Sequence, residues 1–227
     1  ELRRSRLIIN YETIGRSDEQ IEQQYKDDAA KLSADELLYL ATFDKTPAEQ
    51  EAIYTKATQI YDKDYRAYNN LAALALAKGD KAAAQKYAEK AASLGSDTPE
   101  AQANMGLLAL VNGNVQDAER AISKSANSEN VKAALGALNI AKGNYAQAEQ
   151  YFGKTNSNTA ALAQLLNKNY AAAAKTLDKV QNPNAMTDYL HAVVAARRGN
   201  KFAASSYLKE ALQKDPSLKQ YAENDLE

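Results

Sequence analysis

The stretch LALAKGDKAAAQKYAEKA, residues 74 to 91, decides the fold. Two Ala-rich segments, each with apolar residues at the spacing of one helix face, are separated only by Gly79-Asp80. A glycine there can take the left-handed conformation that ends a helix, and the aspartate after it can accept from the backbone N–H groups that begin the next. The same break returns as VNGN at 111–114, AKGN at 141–144, NKN at 167–169 and RRGN at 197–200. The chain therefore reads as a series of helix hairpins. Asp80, Asn114, Asn144 and Asn200 are the expected caps of the second helices. In the fourth break Lys168 stands in place of glycine, which predicts either a strained left-handed lysine or a different turn.

Two columns of small residues accompany the breaks. Ala72, Gly106, Gly136, Ala161 and Ala192 lie seven residues before the central residue of each turn, and Ala84, Ala118, Ala148, Ala173 and Ala204 lie five residues after it. Antiparallel helices at a short interaxial distance need small side chains where they cross, because a larger one holds the backbones apart. Ala88, Ile122, Phe152, Leu177 and Leu208, nine residues past the turns, return to the same face and are expected to fill the space between helices.

This pattern resembles the tetratricopeptide repeat, a helix-turn-helix unit of about 34 residues. Tyr68, Leu71, Ala72, Gly79, Asp80, Ala84 and Ala91 carry the resemblance in one copy, and Ala192, Gly199, Ala204, Ala211 and Pro216 carry it in another. Pro99 to Ser128 forms a third copy. Successive turns are separated by 34, 30, 25 and 31 residues, so the middle hairpins are shortened. Ala160 and His191 occupy positions where the family usually has leucine. The resemblance implies an all-α fold, a right-handed superhelical array, or α-solenoid, of antiparallel helix hairpins. Upstream, Ser33-Ala-Asp-Glu36 and Thr46-Pro-Ala-Glu49 read as capping boxes that start one more hairpin, and Ser17-Asp-Glu-Gln20 caps a helix running to about Lys31. The expected organisation is a repeat domain over 17–227, with about thirteen or fourteen helices, the last starting at Pro216 and covering the end of the stack.

Residues 1–16 differ in kind and read as an extended linker or the end of a preceding domain. Leu7, Ile8 and Ile9 form a short strand-like run, and LRRSRLII resembles the closing segment of OmpA-like peptidoglycan-binding domains. That resemblance implies a module of a larger bacterial envelope protein, periplasmic or associated with the outer membrane, with a cytoplasmic setting as the alternative. A plain N-terminal tail is the competing reading of the same residues.

Composition narrows the function classes. With 28 basic against 29 acidic residues the net charge is −1, which lacks the basic excess of a nucleic-acid binder. No segment approaches the roughly 20 apolar residues that cross a bilayer, so direct membrane insertion is not expected. The absence of cysteine removes disulfides, thiolate metal sites and cysteine nucleophiles. His191, the only histidine, sits at a core-facing repeat position and reads as structural rather than catalytic. Glu22 and the Asp27-Asp28 pair read as a solvated helix face, and Arg197-Arg198 as a cation pair offsetting a helix C-terminus or a clamp for a carboxylate or phosphate. Most of the fourteen tyrosines recur at helical spacing and read as packing residues. No catalytic residue, metal site or cofactor is expected.

The resemblance further implies that first helices of successive hairpins line a concave groove. Its expected lining is Arg66, Asn69, Leu76, Asn104, Leu107, Leu110, Val111, Ile140, Leu165, Leu166, Tyr189, Val193 and Arg197. One branch of the family grips a partner's C-terminal carboxylate with a set of polar residues, of which only Asn104 is matched here. The groove is mostly apolar, and a monomer presenting it to a protein or peptide segment is the leading expectation. A groove filled by the chain's own N-terminal part or packed shut is the alternative. Among function classes, a non-catalytic scaffold leads. A carbohydrate-associated outer-membrane lipoprotein similar to the SusD family, or an enzyme accessory domain, comes after it.

Overall fold

The computed structural model describes residues 15–95, 97–125 and 131–224. The expected strand at Leu7–Ile9 lies outside them. Among the described residues the fold is all-α, with fourteen α-helices and no strand. The chain enters through α1 (Asp18–Asp28), a 3-10 turn at Ala29–Lys31, α2 (Ala34–Leu40) and α3 (Pro47–Ile60). It continues with α4 (Tyr65–Lys78), α5 (Lys81–Leu94), α6 (Pro99–Val111), α7 (Val115–Ser123), α8 (Lys132–Ala141) and α9 (Tyr145–Phe152). It ends with α10 (Asn158–Leu166), α11 (Tyr170–Leu177), α12 (Ala185–Arg197), α13 (Lys201–Lys214), a 3-10 turn at Pro216–Leu218 and α14 (Lys219–Asn224).

The helix starts obey the local chemistry. Ser17, Ser33 and Thr46 each accept from the backbone N–H three residues on, while Gln20, Glu36 and Glu49 reach back to the cap residue's own N–H. Every N-terminal capping box read from the sequence is thus made on both sides. Gly79 ends α4 at φ 77°, and the glycines at 113, 143 and 199 repeat that left-handed geometry within a degree. Lys168 takes it as well, at φ 63°, so the fourth turn keeps its shape and a non-glycine residue bears the strain. Asp80, Asn114 and Asn200 cap the second helices through their side chains, but Asn144 and Asn169 make no such bond. The Asn144 amide instead lies 3.4 Å from Asn139 Oδ1.

Each break joins an antiparallel pair: α4 with α5, α6 with α7, α8 with α9, α10 with α11 and α12 with α13, preceded by α2 with α3. The first helices also pack on one another in the order α4, α6, α8, α10, α12. A second helix returns the chain between any two of them, so the first helices run in the same sense and all hairpin turns lie along one edge. This is an α-solenoid, whose core is divided among neighbouring hairpins.

The small columns sit at the crossings. Ala72 and Ala161 are buried opposite Ala84 and Ala173 in their hairpins. A Cβ added to Gly106 would stand 2.3 Å from Ile122 Cγ1, and one added to Gly136 would stand 2.6 Å from the Phe152 ring. The terminal hairpin departs from the pattern. Ala204 and Leu208 are only half-buried, because α13 is succeeded by a 3-10 turn and a six-residue helix rather than by a full hairpin. Leu218 nevertheless reaches the core, beside Tyr189 and Ala211. The covering element begins at Pro216, as a 3-10 turn that runs into α14 at Lys219.

Candidate partner-binding groove

Three residues before the turn, four successive first helices carry Leu76, Leu110, Ile140 and Leu165. All four are half-buried. Each is large and apolar, and each leans on a different part of the core. Leu76 packs against Ala72, Ala75 and Leu108; Leu110 and Leu107 against Ala103, Ile122 and Leu138; Ile140 against Phe152 and Ala160; and Leu165 against Leu177 and Leu190. The fifth helix has Ala196 at that position. Val193 is half-buried and Val111 is exposed, at 41%.

The polar residues expected beside this column behave differently. Asn69 and Asn104 are buried, at 8% and 7% exposure, and the Asn104 amide donates to Asn69 Oδ1 at 2.8 Å and to Asn69 O at 2.9 Å. These two hydrogen bonds join α4 to α6, as a buried polar group requires a partner. Tyr189 is buried too, at 5%, in the core cluster that closes the C-terminal end. Arg66 donates through Nε and Nη2 to Asp64 and through Nη1 to Asp35 at 2.5 Å. Those hydrogen bonds raise its pKa, and in return they hold the Asp64 carboxyl below the ordinary carboxylate value. Its charge is therefore already answered by two carboxylates. Arg197 is exposed.

The other singled-out residues find separate places. His191 stacks on Tyr207 with ring centroids 4.8 Å apart, and its Nε2 lies 3.8 Å from Asp178 Oδ1. These three, with Arg198 and Asn200, line a cleft of about 450 Å³ between α11, α12 and α13. A second cleft, of about 890 Å³, opens between α3 and α5 over Tyr68, whose ring lies 5.7 Å from Lys90 Nζ. Both clefts lie where consecutive second helices spread apart, which a reading of the first-helix face does not reach. Glu22 pairs with Lys45 at 2.6 Å, and Asp28 accepts from the backbone of Ala30. Among the tyrosines, Tyr61 donates to Leu32 O at 2.5 Å, and burial pushes the Tyr54 phenol up. Among the described residues no group of three or more metal-ligating side chains comes together, and no helix is long and apolar enough to cross a membrane.

No protein-family model and no curated protein matches the chain. Solved structures do. A tetratricopeptide repeat protein from Parabacteroides merdae superposes with a TM-score of 0.52 at 20% identity, over 89% of this chain and 88% of that one. The pilF protein of Pseudomonas aeruginosa gives 0.47 at 19% identity, over 87% and 97% of the two chains. PilW, a type IV pilus biogenesis factor, gives 0.49 at 18%, over 81% and 94%. The helix hairpins, their glycine turns and small-residue crossings, and the likeness to the Parabacteroides merdae structure establish that this chain has the tetratricopeptide repeat fold.

Proposed function

We propose that the array is a non-catalytic interaction scaffold that takes an apolar segment of a partner protein along its first helices. The observation that carries this reading is the column Leu76, Leu110, Ile140 and Leu165, with Leu107 beside it, left half-buried at equivalent places in four consecutive hairpins. A repeated apolar stripe that the chain's own packing leaves half-covered suits a partner's amphipathic helix or extended segment, anchored every hairpin. Arg197 supports it as an exposed polar guide at one end. Asn69, Asn104 and Tyr189 contribute by holding neighbouring helices rather than by touching a partner. An envelope setting belongs to the same proposal and rests on the resemblance of the N-terminal residues.

The double substitution Leu107→Asp with Ile140→Asp tests it. Because both side chains are half-exposed, the new carboxylates remain partly hydrated, and the helical circular dichroism is expected to persist while capture of the partner from a native lysate is lost. Capture that survives with intact helicity rejects the groove. Loss of helicity shows that these residues serve the core, where unpaired charges cost several kcal/mol. Glycan binding or hydrolase activity by the pure chain would favour the carbohydrate-associated or enzymatic readings instead.

A further inference from the structure

The edge that gathers the hairpin turns is not uniform. Upstream, most of its cations are answered: Lys45 pairs with Glu22, Lys78 with Glu51 and Lys142 with Glu119, while Lys81 donates to the Val111 carbonyl at 3.4 Å. At the last two turns, Lys168, Arg197, Arg198 and Lys201 are exposed, and none of them forms an ion pair among the described residues. The turns themselves contain no acid; the carboxylate that reaches them, Glu149, accepts from the amides of Asn167 and Asn169 at 2.7 Å. Beside these cations Phe202 projects from the first turn of α13 at 88% exposure, against 60% for Tyr221 and 50% for Tyr39. Lys168 is also the residue held left-handed where the other four turns use glycine. Strain kept at an exposed charged residue points to a use for that residue outside the fold.

We infer that this corner, formed by the 167–169 and 197–202 turns, docks on an anionic lipid surface, with Phe202 entering the interfacial layer and the four cations facing the headgroups. α10 and α12 are packed neighbours running in the same sense, so the two turns stand side by side. The molecule as a whole carries only −1, so the attraction comes from this corner rather than from net charge. Phe202 does not line the cleft beside Arg198 and Asn200, and an aromatic that projects beside cations rather than into a groove matches a soft surface that yields to a wedge better than a polypeptide that needs a cleft. This inference shares Arg197 with the proposed groove but does not rest on that reading.

Sedimentation with phosphatidylcholine vesicles containing or lacking about 30% phosphatidylglycerol tests it. Binding is expected only with the anionic lipid and is expected to weaken as salt rises. The triple variant Lys168→Gly, Arg198→Ser, Lys201→Ser should lower partitioning on the order of a hundredfold, at about fivefold per cation. Phe202→Ser should lower it about tenfold. Because the chain has no tryptophan, Phe202→Trp supplies a single reporter whose emission should shift to the blue on the anionic vesicles. Leu107→Asp with Ile140→Asp should leave vesicle binding unchanged. Absence of binding, equal binding to both vesicles, an unshifted emission spectrum from the Phe202→Trp variant, or charge and Phe202→Ser variants that bind as the parent each overturn the inference. Capture by polyglutamate with none by vesicles overturns it in favour of an acidic protein partner.

Discussion

The hairpin of α2 and α3 and the hairpin of α8 and α9 draw unequally on local signals. The first is framed by local signals: reciprocal boxes at Ser33 and Thr46, Pro47 in the first turn, and Arg16 bridging to Glu36 at 2.7 Å. The second has helices of 10 and 8 residues, no side-chain cap at Val131 or Asn144, and a crossing at which Gly136 lies under the Phe152 ring. Isolated helices that short, the seven-residue α2 included, are unstable in water, so tertiary burial holds both hairpins, and the second does without the caps that help the first. Where local signals are weak, close packing at one crossing does the holding.

Breaking that crossing should have the largest effect. Phe152→Ala is expected to cost about 3–5 kcal/mol, as buried aromatic truncations do, read from the urea midpoint. Gly136→Leu should cost about 1–3 kcal/mol or more by overpacking, and combining it with Phe152→Ala should recover part of the loss. Strict additivity of the two would show that they do not share a crossing. On the other hairpin, Ser33→Ala should cost only about 1 kcal/mol, the usual worth of a helix cap, with hydrogen exchange accelerated in α2 and unchanged in α8.

Lys168→Gly should stabilise by about 0.5–1 kcal/mol, the left-handed penalty of a lysine less the chain entropy of a glycine. A lower midpoint would mean that the lysine has a stabilising partner. The smallest effect at any single site is set by pH. Hydrogen bonds lower the pKa of Glu36, from the Ser33 backbone first and then Arg16, and of Asp64, from Arg66. Both carboxyls therefore fall below their ordinary values in the folded state, so their contribution is complete above those values, 4.5 and 3.8, and is lost as pH falls through the lower folded ones. Acid should loosen α2 to α4 before α8 to α11, as resolved by exchange along the chain.

The contrast also explains what can be read from the sequence. Capping boxes are signals contained in four residues, and those at Ser17, Ser33 and Thr46 are legible in full. The turns are legible because left-handed backbone selects glycine, and the crossings because small residues recur at fixed distances from the turns. Asn144 breaks the expectation because a suitable residue at a helix start does not guarantee the bond; its amide turns toward Asn139 instead. Of the candidate groove, Leu76, Leu107, Leu110, Ile140 and Leu165 are half-buried, whereas Asn69, Asn104 and Tyr189 are buried and give no sign of it in the sequence. That burial depends on how one hairpin leans on the next, and no residue pattern within a single helix carries the angle. Arg66 is legible as a first-helix cation, but its bond to Asp35 joins residues 31 apart that share no motif. Phe202 gives no signal, since an exposed phenylalanine and a buried one look alike in a helix.

The side-by-side order α4, α6, α8, α10, α12 has a mechanical consequence. Each hairpin is braced chiefly by the one before and the one after, so the array bends like a row of joints in series, and small rotations at each add along its length. The stiffness that the proposed partner segment would feel is then set by the most compliant joint it spans rather than by the average. A segment lying across several hairpins can adjust the pitch of the whole rod, whereas one confined to a single hairpin meets a nearly rigid body.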